Sequence, residues 1–118
     1  MRVSKNKLNP HLEKELFKTL HQTIADLKNP TEAEEFLRTF LSETEHSALA
    51  KRIAVLYWLD KGRGYNNIHD NLKVSSATVA TINAITNTKG AQIALQKIKA
   101  EEWANQWADK IKGFAKLR

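Results

Sequence analysis

Between Gly64 and Asn83 this 118-residue chain reads GYNNIHDNLKVSSATVATIN, a run of small and polar side chains suited to molecular recognition. Ser75, Ser76, Ala77 and Thr78 follow one another where a helix should begin, and all are small. Ser75 suits an N-cap, because its hydroxyl can accept a hydrogen bond from a backbone N–H one turn inside. Small residues let a helix start approach another surface closely. Their hydroxyls and the first-turn N–H groups can hold phosphate oxygens or meet base edges. That chemistry is recognition of a polyanion rather than bond breaking. A short helix, a tight turn at Lys73-Val74-Ser75 and a second helix form the kind of unit that docks in a DNA major groove. The same hairpin also suits plain packing or protein contact.

Catalytic constellations are missing from the sequence. His11, His21, His46 and His69 are scattered, with no His-Glu-x-x-His helix and no Gly-x-Ser-x-Gly elbow. Glu43, Glu45 and His46 cluster, but acids in a first helical turn are favoured by the helix dipole and need no further role. Gly62-x-Gly64 follows a helix rather than a strand, so it reads as a cap and turn and not as a phosphate cradle. The chain has no Cys, which excludes disulfides and thiolate metal sites. The reading is a non-enzyme with neither cofactor nor metal.

A reading unit of this kind must be carried by helices, and the pattern supplies them. Asn9-Pro10 is an N-cap followed by proline at the first helical position, and Leu12, Leu16, Leu20, Ile24 and Leu27 recur on one face. Asn29-Pro30 is expected to stop that run. Thr31 with Glu34 is expected to open a second helix as a capping box, with Phe36, Leu37, Phe40 and Leu41 at helical spacing. Ser42 with Glu45 repeats the signature and starts a longer helix through Leu49, Ile53 and Leu56 to Leu59, ended by Gly62 as a left-handed cap. Then come two short segments, with Tyr65, Ile68 and Leu72 on the inner face of the first and Val79, Ile82 and Ile85 on that of the second. After Gly90 a final helix spans about residues 91–116. The expected fold class is all-α, six helices with a helix-turn-helix at about 64–83. Residues 1–8 read as a flexible basic N-terminus and 9–118 as a single helical domain.

Charge agrees with an anionic partner. The formal net charge is +6, and after residue 70 there are 8 Lys/Arg against 3 Asp/Glu. A basic region attracts nucleic acid because neutralised phosphates release condensed counterions. A merely soluble basic surface would show the same composition. No stretch approaches the ~18 apolar residues of a spanning helix, and Met1 to Asn9 has no signal-peptide core, so a cytoplasmic protein without a membrane partner is expected.

With these residues in view, the sequence resembles the tryptophan repressor family, particularly its tryptophan-repressor-like branch of small bacterial proteins. The similarity runs from about Leu41 to Ile98. It includes FLSETEHSALAKRIAVLYWLDKG, with its Leu-Ser cap, Ala-Leu pair, single Arg and closing Gly, and continues into GYNNIHDNLKVSSATVATIN. The resemblance implies a double-stranded DNA-binding transcriptional repressor, built as an intertwined homodimer whose N-terminal helices interlock. It places Tyr65, Asn66, His69, Ser75, Ser76, Ala77, Thr78 and Thr81 at DNA-contacting positions, with Lys73 in the turn beside them. Ser42 and Arg52 fall beside the family's effector pocket. Two positions depart from the pattern. Lys73 stands where the turn often has Gly, which implies strain if its φ is positive. Thr81 stands where a reading-helix Arg is expected, which argues against L-tryptophan as a strong corepressor and leaves the effector unknown.

Beyond the resemblance, Trp103, Trp107, Ile111 and Phe114 share a helical face with lysines around it. The i, i+4, i+8, i+11 spacing is the ordinary pattern of a packed stripe. Membrane-surface binding and base stacking are the competing readings. For the whole chain, the alternative to a sequence-specific repressor is a helix-turn-helix module for protein contact or non-specific nucleic-acid binding.

Overall fold

Both Asn-Pro dipeptides begin helices in the computed structural model, which describes residues 7–116 and the side chains of residues 7–102. Asn9 caps α1 (Pro10–Ala25) by accepting from the N–H groups of His11 and Leu12. Asn29 caps α2 (Pro30–Phe40) by accepting from the Glu32 N–H at 2.8 Å. Proline at N1 loses nothing, because the first-turn N–H has no helical partner. This corrects the assignment of Thr31 and Glu34 as a capping box. The first helix already ends with Asp26 as C-cap, and Glu34 instead meets Arg38 at 3.0 Å on the exposed face of α2.

The Ser42–Glu45 capping box forms as expected. The Ser42 N–H donates to Glu45 Oε1 at 2.8 Å, and the Glu45 N–H donates to Ser42 Oγ at 3.1 Å. This opens α3 (Glu43–Asp60). At its far end Gly62 takes φ 80°, the left-handed conformation expected of it. There the Gly62 N–H reaches Leu59 O at 3.0 Å and the Arg63 N–H reaches Trp58 O at 3.1 Å. The paired bonds are those of a Schellman motif, which satisfies carbonyls left over at the helix end. Helices α4 (Tyr65–Leu72), α5 (Ser76–Ala84) and α6 (Lys89–Lys116) complete the order. The last begins at Lys89 rather than 91, where the Thr88 hydroxyl accepts from the Ala91 N–H. Among the described residues the fold is all-α, with six helices and no strand. No helix there is long and apolar enough to cross a membrane.

The chain forms two compact units, one ending at His46 and the other beginning at Ser47. In the first, α1 and α2 have no buried residue. Leu12, Leu16, Phe17, Leu20 and Ile24 remain between 43% and 53% exposed, and Phe40 is 72% exposed. An open groove of about 520 Å³ in this unit is lined by Asp26, Leu27, Glu32, Phe36 and Phe40 among others. The second unit holds the core. Val55 and Leu56 of α3, Ile68 of α4, Val74 of the turn, Val79 and Ile82 of α5, and Ala91 and Leu95 of α6 are buried together, with Trp58, Leu59 and Leu72 packed on them. Each full burial of such an aliphatic side chain contributes roughly 1.5–3 kcal/mol. The short helices α4 and α5 are therefore stable only as part of this core. The side chains of Trp103, Trp107, Ile111 and Phe114 lie outside the described residues, as does the N-terminal segment before Lys7.

Candidate nucleic-acid interface

Helices α4 and α5 pack against each other across a turn whose conformation is set at one residue. Lys73 caps α4 at φ 56°, ψ 47°, in the left-handed region, and its N–H donates to His69 O at 3.1 Å. It is the one non-glycine residue with positive φ among the described residues. A side chain in this region costs roughly 1–2 kcal/mol, so the strain anticipated for a non-glycine turn is present. Val74, directly after it, is only 8% exposed and anchors the turn in the core. The conformation is held by buried neighbours on both sides, Ile68 before and Val79 after, each fully buried.

Ser75 then caps α5. Its hydroxyl accepts from the Thr78 N–H at 3.0 Å and lies 2.9 Å from Thr78 Oγ1. The Ser75 and Thr78 hydroxyls are thereby joined to each other at the head of the helix. Ser76 and Ala77 are exposed between them, and first-turn N–H groups of a helix have no partner within it. Further along, Thr81 Oγ1 donates back to Ala77 O at 2.9 Å. Tyr65 and Asn66 sit in the exposed first turn of α4, with Tyr65 43% exposed. His69, also exposed, has its Nδ1 hydrogen-bonded to Val74 O. Thus Tyr65, Asn66, His69, Lys73, Ser75, Ser76, Ala77, Thr78 and Thr81 all belong to one hairpin. Its exposed residues include small, polar and cationic side chains, with no carboxylate among these positions.

Ser42 and Arg52 are placed differently. Ser42 is spent in the capping box at the start of α3, and Arg52 is exposed on that helix. They belong to different units. No buried polar side chain occurs among the described residues. The Glu45 carboxyl is held below its usual range, mainly by the bond from the Ser42 backbone and then by the Ser42 side chain.

Several side chains that support the hairpin were not singled out in the sequence. Lys51 of α3 donates to Lys73 O at 3.5 Å. Arg63 lies over the Trp58 ring, 4.1 Å from its centroid, and donates to Asn67 Oδ1 at 3.3 Å. These contacts tie the end of α3 to the start of α4. The signal was available, since a Gly-capped helix end brings the residue after the glycine back over the last turn. On the other side Lys61 meets Glu102 at 3.2 Å and Lys99 meets Asp60 at 3.0 Å, joining α3 to α6. The neighbouring Glu102 carboxyl raises the Tyr57 phenol, while Tyr57 and then Lys61 lower that carboxyl.

The chain matches the family described as Trp repressor protein over residues 15–99. It is also similar to a solved structure of a TrpR-like protein from Eubacterium eligens ATCC 27750. The two are 26% identical, with a TM-score of 0.69, over 77% of this chain and 96% of that one. No curated protein matches it.

Proposed function

The chain belongs to the Trp repressor family of helix-turn-helix DNA-binding regulators, and from that premise we propose that it is a sequence-specific transcriptional repressor working as a cytoplasmic homodimer. The family is one of regulators and not of enzymes. The observation that carries the reading is the head of α5, where Ser76 and Ala77 are exposed beyond a Ser75–Thr78 cap. In this reading the head enters the major groove with Ser76 at base edges and Ala77 allowing close approach. Tyr65, Asn66 and Lys73 face the backbone, where they position the reader without reading sequence. Ser75, Thr78 and Thr81 act mainly by shaping the reading helix, since their hydroxyls already have partners within it.

The effector in this reading is not L-tryptophan. Thr81 offers neither the planar surface nor the charge of the arginine expected there, and its hydroxyl is engaged with Ala77. Arg52 alone would leave the indole with one guanidinium plane instead of two. Selection of bound duplexes from a random pool tests the proposal. The expected product is a two-fold symmetric site with half-sites about one helical turn apart. Recovery of unrelated sequences would reduce the protein to a non-specific binder.

A further inference from the structure

We infer that His69 is a positioning residue, which clamps the turn of the reading hairpin through its Nδ1. The inference rests on the proposed DNA reading for its consequence, but not for the clamp. The Val74 carbonyl is an acceptor only, so the His69 Nδ1 that meets it must carry the proton. In a neutral ring this bond fixes the Nδ1–H tautomer and leaves Nε2 as the acceptor.

The place of this bond gives it a purpose. Lys73 lies between the two bonded residues and is the left-handed residue of the turn. Nothing in a lysine side chain favours that conformation, so its neighbours must hold it. Two consecutive carbonyls there take side-chain donors from outside the turn. Lys73 O accepts from Lys51 of α3 and Val74 O from His69 of α4. The pair fixes the direction in which the chain leaves α4, and hence where Ser75 begins α5. Freed of the clamp, the turn samples other conformations, and duplex affinity falls by the fraction of molecules left competent.

The geometry of the imidazole supplies the test. An asparagine amide nitrogen can occupy the place of Nδ1, whereas a glutamine amide nitrogen occupies that of Nε2. His69→Asn should keep duplex affinity within about twofold of the parent, while His69→Gln and His69→Ala should each lower it roughly fivefold, the scale of one lost hydrogen bond. The reverse order, with Gln retaining affinity and Asn losing it, would overturn the clamp in favour of a direct contact through Nε2. Nitrogen-15 spectra of the full chain without DNA give a second readout, in which the neutral His69 ring is expected as the Nδ1–H tautomer. The Nε2–H form would contradict the inference outright. If the parent protein bound no duplex, the DNA reading would fail, and the tautomer together with a thermal stability order of Asn above Gln would still decide the clamp.

Discussion

In the proposed reading Ser76 is the residue on which recognition turns most directly, because of what its neighbours do. Ser75 and Thr78 are occupied with each other at the helix head, and Thr81 is bonded back to Ala77. The family resemblance places Ser75, Ser76, Thr78 and Thr81 together at DNA-contacting positions, and residue type marks Ser75 alone as a cap. For the other three it could not separate a hydroxyl that faces outward from one that turns to its own backbone, because both uses favour Ser and Thr at a helix start. Thr78→Ala is accordingly expected to cost about 1 kcal/mol, through loss of the bond to Ser75. It should appear as a lower melting temperature as well as weaker binding. Tryptophan offers a second check at this scale. Loss of one stacked guanidinium costs roughly 2 kcal/mol, more than tenfold in affinity. Calorimetry should find weak or no binding of L-tryptophan to the parent, and Thr81→Arg should gain it. Tight binding to the parent, strengthening its hold on DNA, would remove this account of the effector site.

At the scale of elements, the caps were the most legible features and also the source of one error. Gly62, Ser42 with Glu45, and Ser75 all act where their types and spacing place them. Asn29-Pro30 has the same composition as Asn9-Pro10, yet sequence reasoning takes it for a stop, because the residue before proline disfavours the helical region. In the structure both are starts, since asparagine accepts from the first turn whatever lies upstream. The capping box has a pH signature. The Glu45 carboxyl is depressed in the folded chain, so its contribution is present above the ordinary glutamate range and is lost as pH falls through the depressed value. The melting-temperature advantage of the parent over Glu45→Ala should therefore shrink on acidification, and an advantage unchanged at acid pH would contradict the bond. The turn residue predicts the opposite kind of change. Lys73→Gly relieves left-handed strain of roughly 1–2 kcal/mol, offset in part by the greater freedom of glycine in the unfolded chain. A net gain of about 0.5–1 kcal/mol is expected from denaturant unfolding.

For the whole molecule, the contrast between the two units is the informative feature. The second buries a continuous aliphatic core, whereas α1 leaves five large apolar side chains about half exposed. Their helical periodicity was readable in the sequence. What covers them was not, because a stripe of leucines looks the same whether it meets its own chain or another. In the proposed homodimer the partner covers them, at roughly 1 kcal/mol for each half-exposed side chain brought fully out of water. The subunits should therefore be inseparable without substantial unfolding. Sedimentation of the parent at micromolar concentration should give a dimer, and Leu16→Glu should give monomer with reduced helicity. A stable, compact parent monomer would count against the dimer while leaving the hairpin intact.

Whether the head of α5 reads a duplex is decided by measuring duplex affinity across ionic strength for the parent and Ser76→Glu. The logarithm of the parent's affinity is expected to fall linearly with the logarithm of salt concentration, as phosphate contact requires. Ser76→Glu, with unchanged helicity, is expected to lose at least about a hundredfold at every salt, because a carboxylate at the groove combines repulsion with lost close approach. Equal affinities for the two proteins would contradict that reading and remove α5 from the interface.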